Sequence, residues 1–398
     1  MSYSFDELIN RRNTGSLKWN VGENELPMWV ADMDFQAAPE IVAAIKERAA
    51  HGIFGYTAVS DAWYQAYMKW WKEQHDFYME KDWLLFCTGT VPAISSIVRK
   101  LTTPAEKVLI QTPVYGAFFK CITDNGREVS QNPLQYDDTE YHIDFKDLEE
   151  KLSDPQTTLM ILCNPHNPVG KIWDKETLEQ IGELCSRYHV VVLSDEIHCD
   201  LTEPGCSYIP FASVSEKCRE NSITCIAPTK TFNLAGLQTA AVVVPNDNLR
   251  HKVWRGLNTD GIAEPNVFAV EAAVAAFTKG GRWLEELREY IYQNKKLAEA
   301  FVKAEIPQIK IVPSQATYLL WLDCTKLLGS TTEIAGFIRE KTGLYVSAGS
   351  QFGENGKNFL RMNIACPRVV VEDGLSRLKQ GAMEYGLIIT QGNGNCGK

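Results

Sequence analysis

Four short apolar runs in this chain each stop at a cluster of polar, chemically capable residues, and that repeated ending limits what the chain can fold into. Leu84-Leu85-Phe86-Cys87 runs into Thr88-Gly89-Thr90, and Leu159-Met160-Ile161-Leu162-Cys163 into Asn164-Pro165-His166-Asn167-Pro168. Val190-Val191-Val192-Leu193 runs into Ser194-Asp195, and Ser222-Ile223-Thr224-Cys225-Ile226 into Ala227-Pro228-Thr229-Lys230. Runs of this length, rich in β-branched residues and closed by turn formers, read as buried strands. Amphipathic stretches lie between them: Leu178, Ile181, Leu184 and Cys185 recur at helical spacing, and Val190–Leu193 follows directly. Such alternation from about Ile45 to about Phe277 predicts an α/β fold with a mostly parallel sheet. In an open sheet of this kind ligands bind outside the carboxyl ends of the strands. The four polar endings therefore point towards one site.

Each ending has its own chemistry. Lysine is rarely buried without a partner, and Lys230, held at the end of a core strand, can lose its proton and form a Schiff base with an aldehyde. Asp195 can keep a pyridine nitrogen protonated and so make the ring an electron sink; its plainer reading is a cap for the next segment. The two Asn-Pro steps force extended geometry on Asn164 and Asn167, and Asn167 could donate to a ring oxygen, although Asn-Pro repeats are also ordinary turn formers. Thr88, Gly89 and Thr90 precede a predicted helix, with Thr90 as its cap and Pro92 in its first turn. Helix N-termini bind phosphate through free N–H groups and the macrodipole.

An amine for an aldehyde, a carboxylate for a pyridine, a donor for a ring oxygen and a phosphate cradle are together the needs of pyridoxal 5′-phosphate. The order Thr-Gly-Thr, Asn-Pro-x-Asn-Pro-x-Gly, Asp-Glu-x-His and Thr-Lys-Thr-Phe-Asn resembles the class I/II aminotransferase superfamily of fold-type I enzymes over nearly the whole chain. The stretch Pro27-Met28-Trp29-Val30-Ala31-Asp32-Met33-Asp34-Phe35 resembles the hallmark of the MalY/PatB subfamily of carbon–sulfur β-lyases. The resemblance implies a large cofactor-binding domain over residues 45–282, a small α+β domain from 1–44 and 283–390, and cleavage of L-cystathionine or related cysteine S-conjugates. It implies that Tyr115 stacks on the cofactor ring and that Arg361 grips the substrate α-carboxylate, as a guanidinium fork does well. It also implies a homodimer in which Tyr56 reaches the phosphate in the neighbouring subunit, with the 258–266 loop near that interface.

The chain departs from the superfamily pattern at three places. Gln238 stands eight residues after the lysine, where an arginine phosphate ligand is common, and Ala227 stands where a serine is common. Phosphate binding then rests on Gly89, Thr90, Thr229 and the partner's Tyr56. His198 replaces a tyrosine three residues after the aspartate; a contact with the ring and a purely structural role are both open to it. Asp32 and Asp34, two apart in an extended stretch, share a face; we read them as structural and not as a metal site, with Trp29 and Phe35 packing. The aromatic run Trp63 to Trp71 reads as core.

Composition sets limits. The formal net charge of −10 disfavours nucleic acid and anionic membrane partners. No apolar run approaches a membrane span, and the first residues lack the pattern of a secretion signal. Eleven cysteines without a Cys-x-x-Cys pair argue against zinc and disulfide frameworks and fit a reducing cytoplasm. Residues 391–398 read as a flexible tail. Two rival functions use the same residues: an aminotransferase that cycles with a 2-oxo acid, and a non-catalytic cofactor-binding regulator.

Overall fold

A computed structural model describes residues 3–394, with side chains through Leu387. Its centre is a seven-stranded sheet in the order Leu84–Cys87, Ala240–Val243, Ser222–Ile226, Val191–Asp195, Thr157–Cys163, Lys107–Ile110, Glu128–Gln131. Only Ala240–Val243 runs antiparallel to its neighbours. The other six strands share one direction, so the four polar endings identified in the sequence emerge along a single edge. The inner strands are buried on both faces, which is why they read as continuous apolar runs and not as alternating ones.

Helices cover both faces. Thr90–Leu101, Ala117–Thr123 and Asp247–Thr259 pack on one side; on the other, Lys175–Arg187 carries the expected stripe Leu178, Ile181, Leu184 and Cys185 inward. Asp174 caps the last of these by accepting from the Thr177 N–H. The expected cap at Thr90 is corrected by one residue. Gly89 is the N-cap, and Thr90 is the first helical residue, buried and without a capping bond. Glycine suits the cap because it leaves the approach to the helix end clear of a side chain.

The aromatic run lies on the helix Asp61–His75, and Trp63, Tyr67, Trp70 and Trp71 are all buried. Tyr67, Trp70 and Trp71 pack around Phe277 and Phe232, and Trp63 packs on Tyr67 and Phe86. A core role for this run is what the structure shows.

A second, four-stranded antiparallel sheet has the order Lys310–Ile311, Leu319–Asp323, Phe359–Asn363, Ser347–Ala348. It stands after the 25-residue helix Gly281–Glu305. The N-terminal segment lies beside it: Leu26–Pro27 pairs in parallel with Leu344–Tyr345 in a separate two-stranded sheet. Helix Pro39–Ala50 packs on Ala269–Lys279, so a boundary drawn at residue 45 passes through a helix seated on the large sheet's side. The last helix, Arg368–Gly394, continues through 391–394, part of the stretch read as a tail; that stretch contains no proline to stop it. Residues 395–398 lie outside the described residues.

Asn294, fully buried on the long helix, donates to the Ile364 carbonyl at 3.1 Å and the Cys366 carbonyl at 3.0 Å. It thus fixes the exit of the strand that carries Arg361. Asn294→Leu strands two carbonyls, and we expect a loss of about 2–4 kcal/mol in stability, read as a lower urea midpoint with an unchanged slope.

Candidate active site

The carboxyl ends of the parallel strands bring the sequence candidates together. Asp195 is the last residue of its strand and pairs in register with Cys163 on one side and Cys225 on the other. Lys230 sits in a single helical turn, Pro228–Thr231, immediately beyond Ile226. Asn167 follows the Thr157–Cys163 strand and Tyr115 the Lys107–Ile110 strand. The peptide bonds before Pro113, Pro165 and Pro168 are cis. Gly89 and Thr90 open the helix after the Leu84–Cys87 strand, and Thr229 is buried next to Lys230. The loop after Thr259 closes over this end, where the Thr88 N–H donates to the Ile262 carbonyl at 3.0 Å.

Arg361 arrives from the other sheet. It lies mid-strand in Phe359–Asn363, is 6% exposed, and makes no ion pair among the described residues. One terminal nitrogen donates to Asn167 Oδ1 at 3.3 Å and the other to the Trp29 carbonyl at 2.8 Å. The guanidinium carbon stands 4.7 Å from the centre of the Phe352 ring, a cation–π contact. Its Nε, although buried, finds no acceptor. Burial pulls its pKa down to about 10. A buried, still cationic group with a spare donor is prepared for an incoming carboxylate.

The other titratable groups carry the marks of the same enclosure. Asp195 is 4% exposed, and among the described residues its carboxylate accepts only from the Ile197 N–H, at 3.3 Å. Burial pushes its pKa up to about 7, against the lowering effects of the Ile197 bond and the nearby Lys230 charge. Lys230 is pulled down to about 8, first by burial and then by Arg361, while Asp32 and Asp195 act the other way. His198 falls to about 3, by burial and then by the Lys230 and Arg361 charges. It is therefore a neutral ring at neutral pH, and its buried Nδ1 has no partner. Tyr115 is half-buried, its pKa raised by burial.

Two candidates stand apart. Tyr56 is fully exposed in a loop without regular structure, and it meets none of the other candidates within its own chain. Gln238 is exposed at φ 51°.

The hallmark stretch 27–35 acts chiefly through its backbone. Asn363 donates to the carbonyls of Val30 and Asp32 and Asn233 to those of Met33 and Phe35, while Lys230 and Tyr318 both donate to that of Ala31. Asp34 is buried between Lys18 at 2.7 Å and Arg11 at 2.6 Å, and Arg11 also clasps Asp32. Trp29 stacks on Tyr345 and Phe35 packs edge-on to Phe5. The structural reading of both aspartates agrees with these contacts. Sequence reasoning gave no role to Asn233, Asn363, Tyr318 or Phe352. Of these Asn233 closes the Thr-Lys-Thr-Phe-Asn motif, and in the structure it takes φ 59°, in the left-handed region that asparagine tolerates.

Residues 18–378 match the family model described as aminotransferase class I and II. The chain belongs to this family. It is 43% identical to the cystathionine beta-lyase PatB of Bacillus subtilis, over 94% of this chain and 99% of that protein. It is 31% identical to the protein MalY of Escherichia coli, over 94% and 98% of the two chains. Among solved structures it is similar to pyridoxal 5′-phosphate-containing cystalysin from Treponema denticola, with a TM-score of 0.94, 32% identity, and 96% and 100% of the two chains covered. The fold is that of the fold-type I enzymes, as the sequence resemblance implied.

The environment of Asp195 makes a pH prediction. Its native pKa of about 7 lies above its ordinary value of 3.8, so between these values the folded protein holds a proton that the unfolded chain has released. Its contribution is therefore largest below about pH 4 and is lost as pH rises through 7. In cofactor-free protein, Asp195→Asn should remove that falling component, and urea unfolding at several pH values compares the slopes. Identical pH slopes for the two proteins would show that Asp195 does not titrate in this window.

Proposed function

We propose that this protein is a pyridoxal 5′-phosphate-dependent carbon–sulfur β-lyase that cleaves L-cystathionine or a related cysteine S-conjugate to pyruvate, ammonia and a thiol. The observation that carries this reading is the buried Arg361, a cation without a carboxylate partner among the described residues, joined through Asn167 to the ends of the parallel strands. The similarity to PatB, named as a cystathionine beta-lyase, and to a C-S lyase from Staphylococcus hominis at a TM-score of 0.90 and 32% identity supports the reaction class.

The cofactor fits the unsatisfied groups. Asp195, underused as an acceptor, suits a protonated pyridine nitrogen, and that charge would return its pKa to the carboxylate range. Asn167 and the orphaned His198 Nδ1 suit the ring oxygen. Tyr115 suits the ring face. Gly89, Thr90 and Thr229 suit the phosphate, together with the first N–H groups of the helix Thr90–Leu101. Lys230 would hold the aldehyde. When bound, the cofactor supplies an electron-withdrawing ring next to the substrate's α-carbon.

The chain's own residues do the rest. Arg361 grips the α-carboxylate and orients the substrate. Lys230, with its pKa already lowered towards neutrality, takes the α-proton as general base. Asp195 would be ionised beside a protonated pyridine nitrogen and would stabilise its charge. With the proton gone, the thiolate on the β-carbon leaves. The exposed Tyr56 supports a homodimer in which it serves the partner's site. The ten described cysteines are all free and nine are buried, which supports a reducing compartment such as the cytoplasm.

Incubation of the loaded enzyme with L-cystathionine, without any 2-oxo acid, should release pyruvate and thiol in equal amounts over many turnovers. Product only after a 2-oxo acid is added, with a new amino acid formed, would instead establish an aminotransferase. Arg361→Ala should weaken substrate binding by about 10–100-fold, because it removes charge-assisted bonds to the carboxylate; KM measured with L-cystathionine is the check. Lys230→Ala should abolish turnover.

A further inference from the structure

One carbonyl in the site serves two donors. Lys230 Nζ donates to the Ala31 oxygen at 2.5 Å, and the Tyr318 hydroxyl donates to the same oxygen at 3.0 Å. The neighbouring peptides are fixed in the other sense, because Asn363 Nδ2 holds the carbonyls of Val30 and Asp32, each at 2.6 Å. The Ala31 carbonyl is thereby presented to Lys230 and Tyr318. Tyr318 is fully buried. It is delivered by Thr317, a β-branched residue at φ +74°, whose N–H donates to the Leu201 carbonyl at 2.7 Å. Such a backbone is strained for a β-branched residue, and strain of this kind next to a site points to a job for the side chain it aims.

We propose that the Ala31 carbonyl is the resting acceptor of the Lys230 amine whenever that amine is not engaged with the cofactor, and that Tyr318 is a positioning residue that shares this carbonyl and so keeps the amine loosely held. The inference deepens the reading of Lys230 given above and rests on it. A carbonyl that already accepts one hydrogen bond is a weaker acceptor for a second. An ammonium gains more from a carbonyl than a neutral amine does, so a strong hold would favour the charged form and delay release. Tyr318 limits that hold. The charged groups that act on Lys230 are Arg361, Asp32 and Asp195, and His198 lies within reach of its charge; Tyr318 itself faces Arg361 and Asp32 and packs edge-on to His198, and Tyr318→Phe keeps that ring in place.

The test uses the full-length, cofactor-free protein and does not depend on turnover. The rate of Lys230 acylation by acetic anhydride is followed by peptide mass spectrometry across pH 6–11, which gives the midpoint of amine deprotonation. Tyr318→Phe should raise that midpoint by about half a pH unit and slow acylation at low pH about threefold, the effect of one lost competing hydrogen bond. Ser347→Ala is the control: its hydroxyl donates at 3.3 Å to the Trp29 carbonyl, two residues before Ala31 and shared with Arg361, so it loosens the same segment without touching Ala31, and its midpoint should move much less than that of Tyr318→Phe. A midpoint in Tyr318→Phe that is unchanged or lowered overturns the proposal, as does an equal rise in both variants. Failure of the lyase assay with a shifted Tyr318→Phe midpoint would count against the proposed reaction and leave this inference standing.

Discussion

The site depends on a guanidinium buried without a counter-ion among the described residues. A charge taken from water is costly unless polar groups replace its hydration, and at Arg361 these come from three separate parts of the chain. Asn167 lies at the end of a parallel strand, the Trp29 carbonyl belongs to the N-terminal segment, and the Phe352 ring belongs to the second sheet's side. Each satisfies the arginine only in part, and its Nε is left as a donor for a carboxylate such as that of the proposed substrate. One residue thus couples the large sheet, the small sheet and the N-terminal strand to the event of binding.

Much of this was legible in the sequence, for a physical reason. Strands buried on both faces must be apolar throughout, and they end where the chain leaves the core, so Asp195, Asn167, Lys230 and the Gly89-Thr90 turn announced themselves by their position after such runs. The parallel direction of those strands then turned four separate signals into one place. Arg361 carried no comparable sign. Phe359-Leu360-Arg361-Met362-Asn363 reads as an ordinary strand with one polar residue, and only resemblance singled it out.

What stayed hidden was interaction through the main chain. Lys230 and Tyr318 lie 199 and 287 residues from Ala31, and alanine offers no side chain to betray that its carbonyl is the shared acceptor. Asn363, which holds Val30 and Asp32, lies just as far away in sequence. The pairing of Asp32 and Asp34 was visible from their spacing, whereas their cations, Arg11 and Lys18, come from an irregular segment without periodicity. The one-residue error at the helix cap has a similar origin: threonine is the commoner cap, but here the approach to the helix end is occupied by a glycine.

The use of carbonyls by the 29–33 segment has a consequence for how such a protein can diverge. Every residue type offers the same carbonyl oxygen, so replacement of Val30 or Ala31 by another residue of compatible shape preserves the acceptors on which Lys230, Asn363 and Tyr318 rely. The side chains of Val30 and Ala31 are thereby released from the task of holding Lys230, Asn363 and Tyr318, and a lineage can change them without rebuilding the contacts their carbonyls make.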